Sequence, residues 1–153
     1  MTVEDAGLAK PPFILVLVLI KFPSDEWIKA LSAELNASET YAQSSATWVG
    51  DFLFVVQPDA VYQDTAYLYI DVKEGKSSDA MQTSSLDEKK AMYTISAPYS
   101  IWRKVIEGRL DPLQSMFTGK LKVRGNMAQI QRNPKATTEF VLCATKIPTE
   151  FIG

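Results

Sequence analysis

The chain has 153 residues, 46% hydrophobic and 22% charged, values that fit one globular domain with a core of useful size and exclude wholesale disorder. It contains no histidine, which removes His-based acid–base catalysis, every Ser–His or Cys–His nucleophile pair and the commonest transition-metal ligand. Its one cysteine excludes an intramolecular disulfide and a cysteine-ligated metal site, and a low isoelectric point with no aromatic stacking motif among the cations argues against a nucleic-acid partner.

Met1 to Pro12 reads as a disordered or tag-like lead. Phe13 to Ile20 (FILVLVLI) is eight apolar residues in a row, too few for a bilayer-spanning helix, which needs about twenty. Its length suits a signal-peptide core, but no small-residue cleavage site follows. Its β-branched content predicts a buried, edge or oligomerisation strand, with an interfacial membrane anchor as the alternative. Ser24 then caps a helix with Asp25 and Glu26 in its first turn, where the helix dipole favours anions. Trp27, Ile28, Leu31 and Leu35 mark the buried face. Ser38 caps a second helix with Tyr41, Ser45 and Trp48 at helical spacing. Asn36-Ala37-Ser38 fits a glycosylation sequon and is read as chance, because no convincing secretion signal accompanies it.

Asp51–Gln57 and Ala66–Lys73 predict strands. In the second, Leu68, Ile70 and Val72 share one face, with Tyr67, Tyr69, Asp71 and Lys73 on the other. A turn at Glu74–Ser78 leads to a short strand near Ala80–Thr83, and Ala91–Ala97 makes a further one. The expected topology to this point is two helices followed by an antiparallel meander. Ala97-Pro98 opens a helix to Glu107, with proline at N1 and an apolar face of Ile101, Trp102, Val105 and Ile106.

The most informative stretch is Gly108 to Arg132. Gly108 can end the preceding helix in a left-handed C′ conformation. Asp111-Pro112 restarts one, the carboxylate as N-cap and the proline at N1, and Leu113, Met116 and Phe117 fall on one face. Lys120 to Arg124 alternates as a half-buried strand. Gly125-Asn126 turns the chain into a segment carrying Met127 and Ile130. Asn133-Pro134 caps a last helix, with Ala136, Phe140, Ala144 and Ile147 at helical spacing and Pro148 as its end. Cys143 lies in the apolar run Phe140–Ala144 and reads as a small buried hydrophobe.

Three pieces of this stretch, Gly108–Pro112 (GRLDP), Gly119–Val123 (GKLKV) and Gly125–Met127 (GNM), stand in the order typical of the sterol carrier protein type-two family, the intracellular lipid-binding domains. The chain resembles that family from about Lys21 to about Pro148. The expected fold is therefore α+β: a single domain over residues 21–153, with a mostly antiparallel five-stranded sheet covered by helices, preceded by an extension over 1–20. The resemblance further implies a hydrophobic tunnel between sheet and helices. Side chains placed to line it are Trp102, Ile106, Leu113, Met116, Phe117, Met127, Ile130 and Phe140. Periodicity alone reads these as ordinary core.

Charge is unevenly spread. Residues 1–90 hold 14 acidic and 7 basic side chains, whereas 102–135 hold eight basic ones against Glu107 and Asp111. This basic region is expected either to meet an anionic membrane surface or to be the solvated outside of helices and strand. The functional expectation is a non-catalytic, cytoplasmic lipid-binding and lipid-transfer protein that holds a sterol, fatty acid or other apolar ligand, without a cofactor or metal. The alternative is an accessory interaction module that uses its apolar groove for a partner segment. For an enzyme, Asp51, Asp71 or Tyr99 would have to act, and no base, metal cluster or phosphate loop accompanies them. Oligomeric state is left open.

Overall fold

A computed structural model describes residues 18–153. Ser24 caps the first helix as its position requires, its hydroxyl accepting from the N–H of Trp27 at 3.0 Å. That helix, α1 (Asp25–Ala37), buries Trp27, Ile28, Leu31 and Leu35, the four residues the spacing marks. Asn36 spends both ends of its amide on the backbone of Ser77, at 2.8 Å each, and so ties the helix to the β-hairpin beyond. The second helix, α2 (Glu39–Ser44), is capped by Ser38 and is shorter than expected. Ser45 and Trp48 are buried after its end rather than on its face.

The sheet strands are β2 (Val49–Gln57), β3 (Ala66–Lys73), β4 (Ala80–Thr83), β5 (Tyr93–Pro98) and β6 (Lys122–Arg124), preceded by the two-residue β1 (Ile20–Lys21). Their spatial order is β4-β3-β2-β5-β6. The first three form the expected antiparallel meander, but β5 pairs with β2 in parallel, with Phe54 opposite Ile95. The cause is the segment between β4 and β5, which crosses the outer face of the sheet. There Ala91 packs on Leu53, Val55 and Tyr69, Lys89 sits 4.9 Å over the Tyr69 ring, and Asp51 accepts from the N–H of Met92 at 2.6 Å. The crossing returns the chain to the end at which β2 began. It also buries Leu53, Val55 and Tyr69, residues that a simple alternation would leave in water.

On the inner face lie the helices α3 (Tyr99–Ile106), α4 (Pro112–Phe117), α5 (Met127–Gln131) and α6 (Pro134–Thr145). Pro98 is the N-cap of α3 rather than its first helical residue, and it supplies no capping side chain. Asp59 does so from the β2–β3 loop. One carboxylate oxygen accepts from the N–H groups of Val61 and Tyr62 at 2.9 and 3.0 Å, and the other from Ser100 at 2.8 Å. The bond from Tyr62 and those from Ser100 and Val61 hold the Asp59 carboxyl down at about 2, against an ordinary 3.8. A depressed folded-state value means that its contribution is complete above pH 3.8 and fades as the pH falls toward 2. Replacing a capping carboxylate costs about 1 kcal/mol, so Asp59→Ala should lower stability by that amount at pH 7. Urea midpoints of variant and parent should converge between pH 4 and 2; a constant gap would contradict the assignment.

Gly108 ends α3 with a φ of +78°, as the motif predicts. Asp111 occupies the N-cap of α4 without a side-chain capping bond. Leu113, Met116 and Phe117 do not share a buried face: Pro112 and Ser115 are the buried residues of α4, and Phe117 is 66% exposed. The expected strand over 13–20 lies mostly outside the described residues. Val18 and Leu19 carry no regular structure, and Ile20 opens β1, which pairs in parallel with β7 (Thr149–Glu150) after α6. Trp27 bridges that junction, its indole N–H donating to Thr149 Oγ1 at 3.0 Å.

Candidate ligand-binding cavity

Period-two alternation puts Phe52, Phe54 and Val56 of β2 on the helix side of the sheet, beside Leu68 and Val72 of β3 and Ile95 of β5. The helices do not close fully over this surface. Between the layers lies a cavity of about 90 Å³. Its floor is formed by these sheet residues and its roof by Trp102, Val105 and Ile106 of α3, Met116 of α4, Ile130 of α5 and Ala136, Phe140, Val141 and Ala144 of α6. Phe22, Trp27, Leu31, Tyr41 and Trp48 complete it toward the N-terminal helices. Among the described residues no charged side chain lines it.

Aromatic rings define its geometry. Phe140 of α6 lies over the sheet, its ring centre 5.7 Å from Phe52, 6.0 Å from Phe54 and 6.1 Å from Tyr41. Trp102 meets Phe54 edge to face at 5.4 Å and donates its indole N–H to Val55 O at 2.9 Å, which docks α3 on the central strand. Phe54 sits mid-strand facing the helices and yet is only half-buried, as are Met116, Phe140 and Val141. These half-covered side chains mark the thinnest part of the wall, between α4 and α6.

The helix α6 packs against α1, α2, α3, α4 and α5 and is held differently from the first helix. It buries Ala136, Cys143 and Ala144, all small, whereas α1 buries Trp27, Ile28, Leu31 and Leu35. Apolar burial contributes on the order of 25 cal/mol per Å², so these buried residues hold α6 less than the large ones hold α1, while half-buried Phe140 and Val141 add to its hold. It has no side-chain capping bond, no acidic residue in its first turn and no basic one in its last. Burial governs the titratable groups near the cavity: it pushes the Tyr41 hydroxyl up to about 12 and raises the Cys143 thiol.

Of the side chains expected to line the tunnel, Trp102, Ile106, Met116, Ile130 and Phe140 lie on the cavity wall. Leu113 packs against the core cluster without reaching the wall. Met127 is half-buried away from it, and Phe117 points to solvent. Sequence reasoning did not find the floor. The signal was present, since Phe52 and Phe54 are two residues apart in DFLFVVQ and therefore share a face.

The residues considered for catalysis have structural partners. Asp51 accepts from the Tyr69 hydroxyl at 2.8 Å as well as from Met92. Asp71 accepts from the N–H groups of Ser78 and Asp79 at 2.8 and 2.9 Å. Tyr99 exchanges hydrogen bonds with the backbone of Ile152 near the C-terminus. Among the described residues no cluster of carboxylates and cysteine could hold a metal ion, and no helix is long and apolar enough to cross a membrane.

Residues 28–136 match the model of the SCP-2 sterol transfer family. A comparison with curated proteins returns no match. Among solved structures, a crystal structure of sterol carrier protein 2 is 29% identical with a TM-score of 0.74, over 81% of this chain and 97% of that one. A solution structure from Thermus thermophilus, described as possibly a sterol carrier protein, is 28% identical with a TM-score of 0.74, over 82% and 88% of the two chains. The sterol carrier protein domain 2 of Helicoverpa armigera is 25% identical with a TM-score of 0.53, over 82% and 91%.

Proposed function

Because this chain belongs to the SCP-2 sterol transfer family, we propose that it is a non-catalytic carrier, working in the cytoplasm, that takes an apolar lipid between its sheet and its helices. The observation that carries this reading is the uncharged, aromatic-rich cavity against the central strand. At about 90 Å³ it is well below the roughly 300–1,000 Å³ of sites that enclose a small-molecule ligand. Uptake therefore requires the roof to part from the floor, and we take α6, whose wall residues Phe140 and Val141 are only half-buried, as the element that moves. Affinity then rests on apolar burial, so lipids of similar shape are weakly distinguished, since one methylene more or less changes little.

All three tryptophans, Trp27, Trp48 and Trp102, lie on the cavity wall. Titration with fatty acids and sterols should shift or quench their emission with a saturable, near-equimolar endpoint. No response to any of them would sink the carrier reading.

We further propose that the protein meets anionic membranes through the face carrying α4 and β6. Glu107 pairs with Arg103 and Arg109, at 3.1 and 3.0 Å. Lys104, Lys120, Lys122, Arg124, Arg132 and Lys135 keep no ion pair among the described residues. Exposed Phe117 stands beside Lys120 and Lys122 in the chain, an apolar anchor next to cations that each contribute about 1 kcal/mol near an anionic surface. Phe117→Ser should slow lipid transfer to anionic vesicles severalfold, and 0.5 M salt should slow the parent similarly. Transfer unchanged by both would remove this face from the mechanism.

A further inference from the structure

Among the described residues, one buried side-chain nitrogen or oxygen lacks a hydrogen-bond partner, the indole Nε1 of Trp48. The other two tryptophans show what is missing, since Trp27 donates to Thr149 Oγ1 and Trp102 to Val55 O. Trp48 is 6% exposed and on the cavity wall. Its ring packs against those of Phe52 and Tyr93, with centres 6.3 and 6.2 Å apart, and neither supplies an acceptor. The Tyr93 hydroxyl is committed to Gln129 Oε1 at 2.6 Å. Residue 50 is glycine, and a Cβ there would lie 3.2 Å from Nε1, so no side chain of β2 covers the N–H at that point. The thioether of Met92, on a half-exposed side chain, borders the same space.

A buried N–H without a partner costs roughly 1–3 kcal/mol, a penalty that an incoming acceptor would relieve. The chemistry of that acceptor is constrained. With no charged side chain on the wall among the described residues, a carboxylate or phosphate drawn inside would lose its hydration uncompensated. A hydroxyl would bring a proton needing an acceptor of its own, and a carbonyl oxygen brings none. Resting on the carrier reading above, we propose that the Trp48 indole N–H is the polar anchor of the cavity and donates to the carbonyl oxygen of a neutral lipid, such as a ketone or ester.

The test compares dodecan-2-one with dodecane, equal in chain length and differing in the oxygen, on the parent and on Trp48→Phe, which keeps an aromatic ring and loses the donor. The parent should prefer the ketone over the alkane about tenfold more strongly than the variant does, each preference being a ratio taken within one protein so that any change the smaller ring makes in alkane affinity cancels. In nitrogen-15 spectra of the parent, the Trp48 indole proton should move downfield with the ketone and stay with the alkane. Alkane binding with no extra ketone preference and a stationary indole signal would overturn the anchor and leave the carrier reading standing. Binding of neither probe would overturn both. The spectra decide the matter on the parent alone if the variant fails to fold.

Discussion

Ala144→Leu should weaken lipid binding at least tenfold while leaving the urea midpoint of the protein unchanged or higher. Ala144 is 6% exposed, on α6, with its methyl group on the cavity wall. The substitution keeps a strong helix former and sends three further carbons toward a space of about 90 Å³. In a filled core such an insertion costs roughly 1–3 kcal/mol through strain. Here the added carbons have somewhere to go, and each buried methylene returns about 0.8 kcal/mol. Lipid competes for the same volume. Excluding two methylenes of ligand at that value amounts to a little more than tenfold in affinity. Tryptophan-emission titrations on parent and variant measure it. Unchanged affinity with unchanged stability would place the lipid elsewhere.

Trp102→Ala should destabilise the fold by about 3–5 kcal/mol, the range for removing a large buried aromatic side chain. Trp102 is 8% exposed, packs edge-on against Phe54 and holds the backbone carbonyl of Val55 at 2.9 Å. It joins the roof to the central strand of the floor, so its loss enlarges the cavity at the point where α3 is docked. Urea unfolding should show a lower midpoint with an unchanged slope. A cost below about 1 kcal/mol would mean that α3 is not seated on β2 as described.

How much of this was legible in the residues follows from the range of the forces that decide each feature. Local signals were read well. The hydroxyls of Ser24 and Ser38 cap their helices, and β3 and β4 begin and end where alternation and turn residues place them. Pairing is a different matter. Alternation reports which residues share a face and says nothing of which strand lies alongside, so the parallel β2–β5 contact was read as another step of a meander. The crossing segment that produces it is polar and reads as a connection.

Helical spacing failed at α4 for a simple reason. Six residues make under two turns, too little to present a stripe, and the orientation is set by Pro112 and Ser115 facing inward. Trp48 followed the same period past the point where α2 had ended. The roof of the cavity was found through the motif region 108–132, whose order of glycine, proline and cation also pointed to the family. The floor has no such motif, because Phe52 and Phe54 lie outside that region on a strand whose alternation marks only a shared face. The unpartnered indole of Trp48 has no signature in sequence at all, since it depends on Gly50, Phe52 and Tyr93 converging around it.

The most direct test of the carrier account is native mass spectrometry of the freshly purified protein, beside an organic extract of the same sample. The account predicts a near-stoichiometric bound mass that the extract resolves as lipid, displaced when Ala144→Leu is made. A protein that carries no lipid, and whose tryptophans ignore every fatty acid and sterol added, would contradict it and leave the space beneath α6 as a packing defect in a closed core.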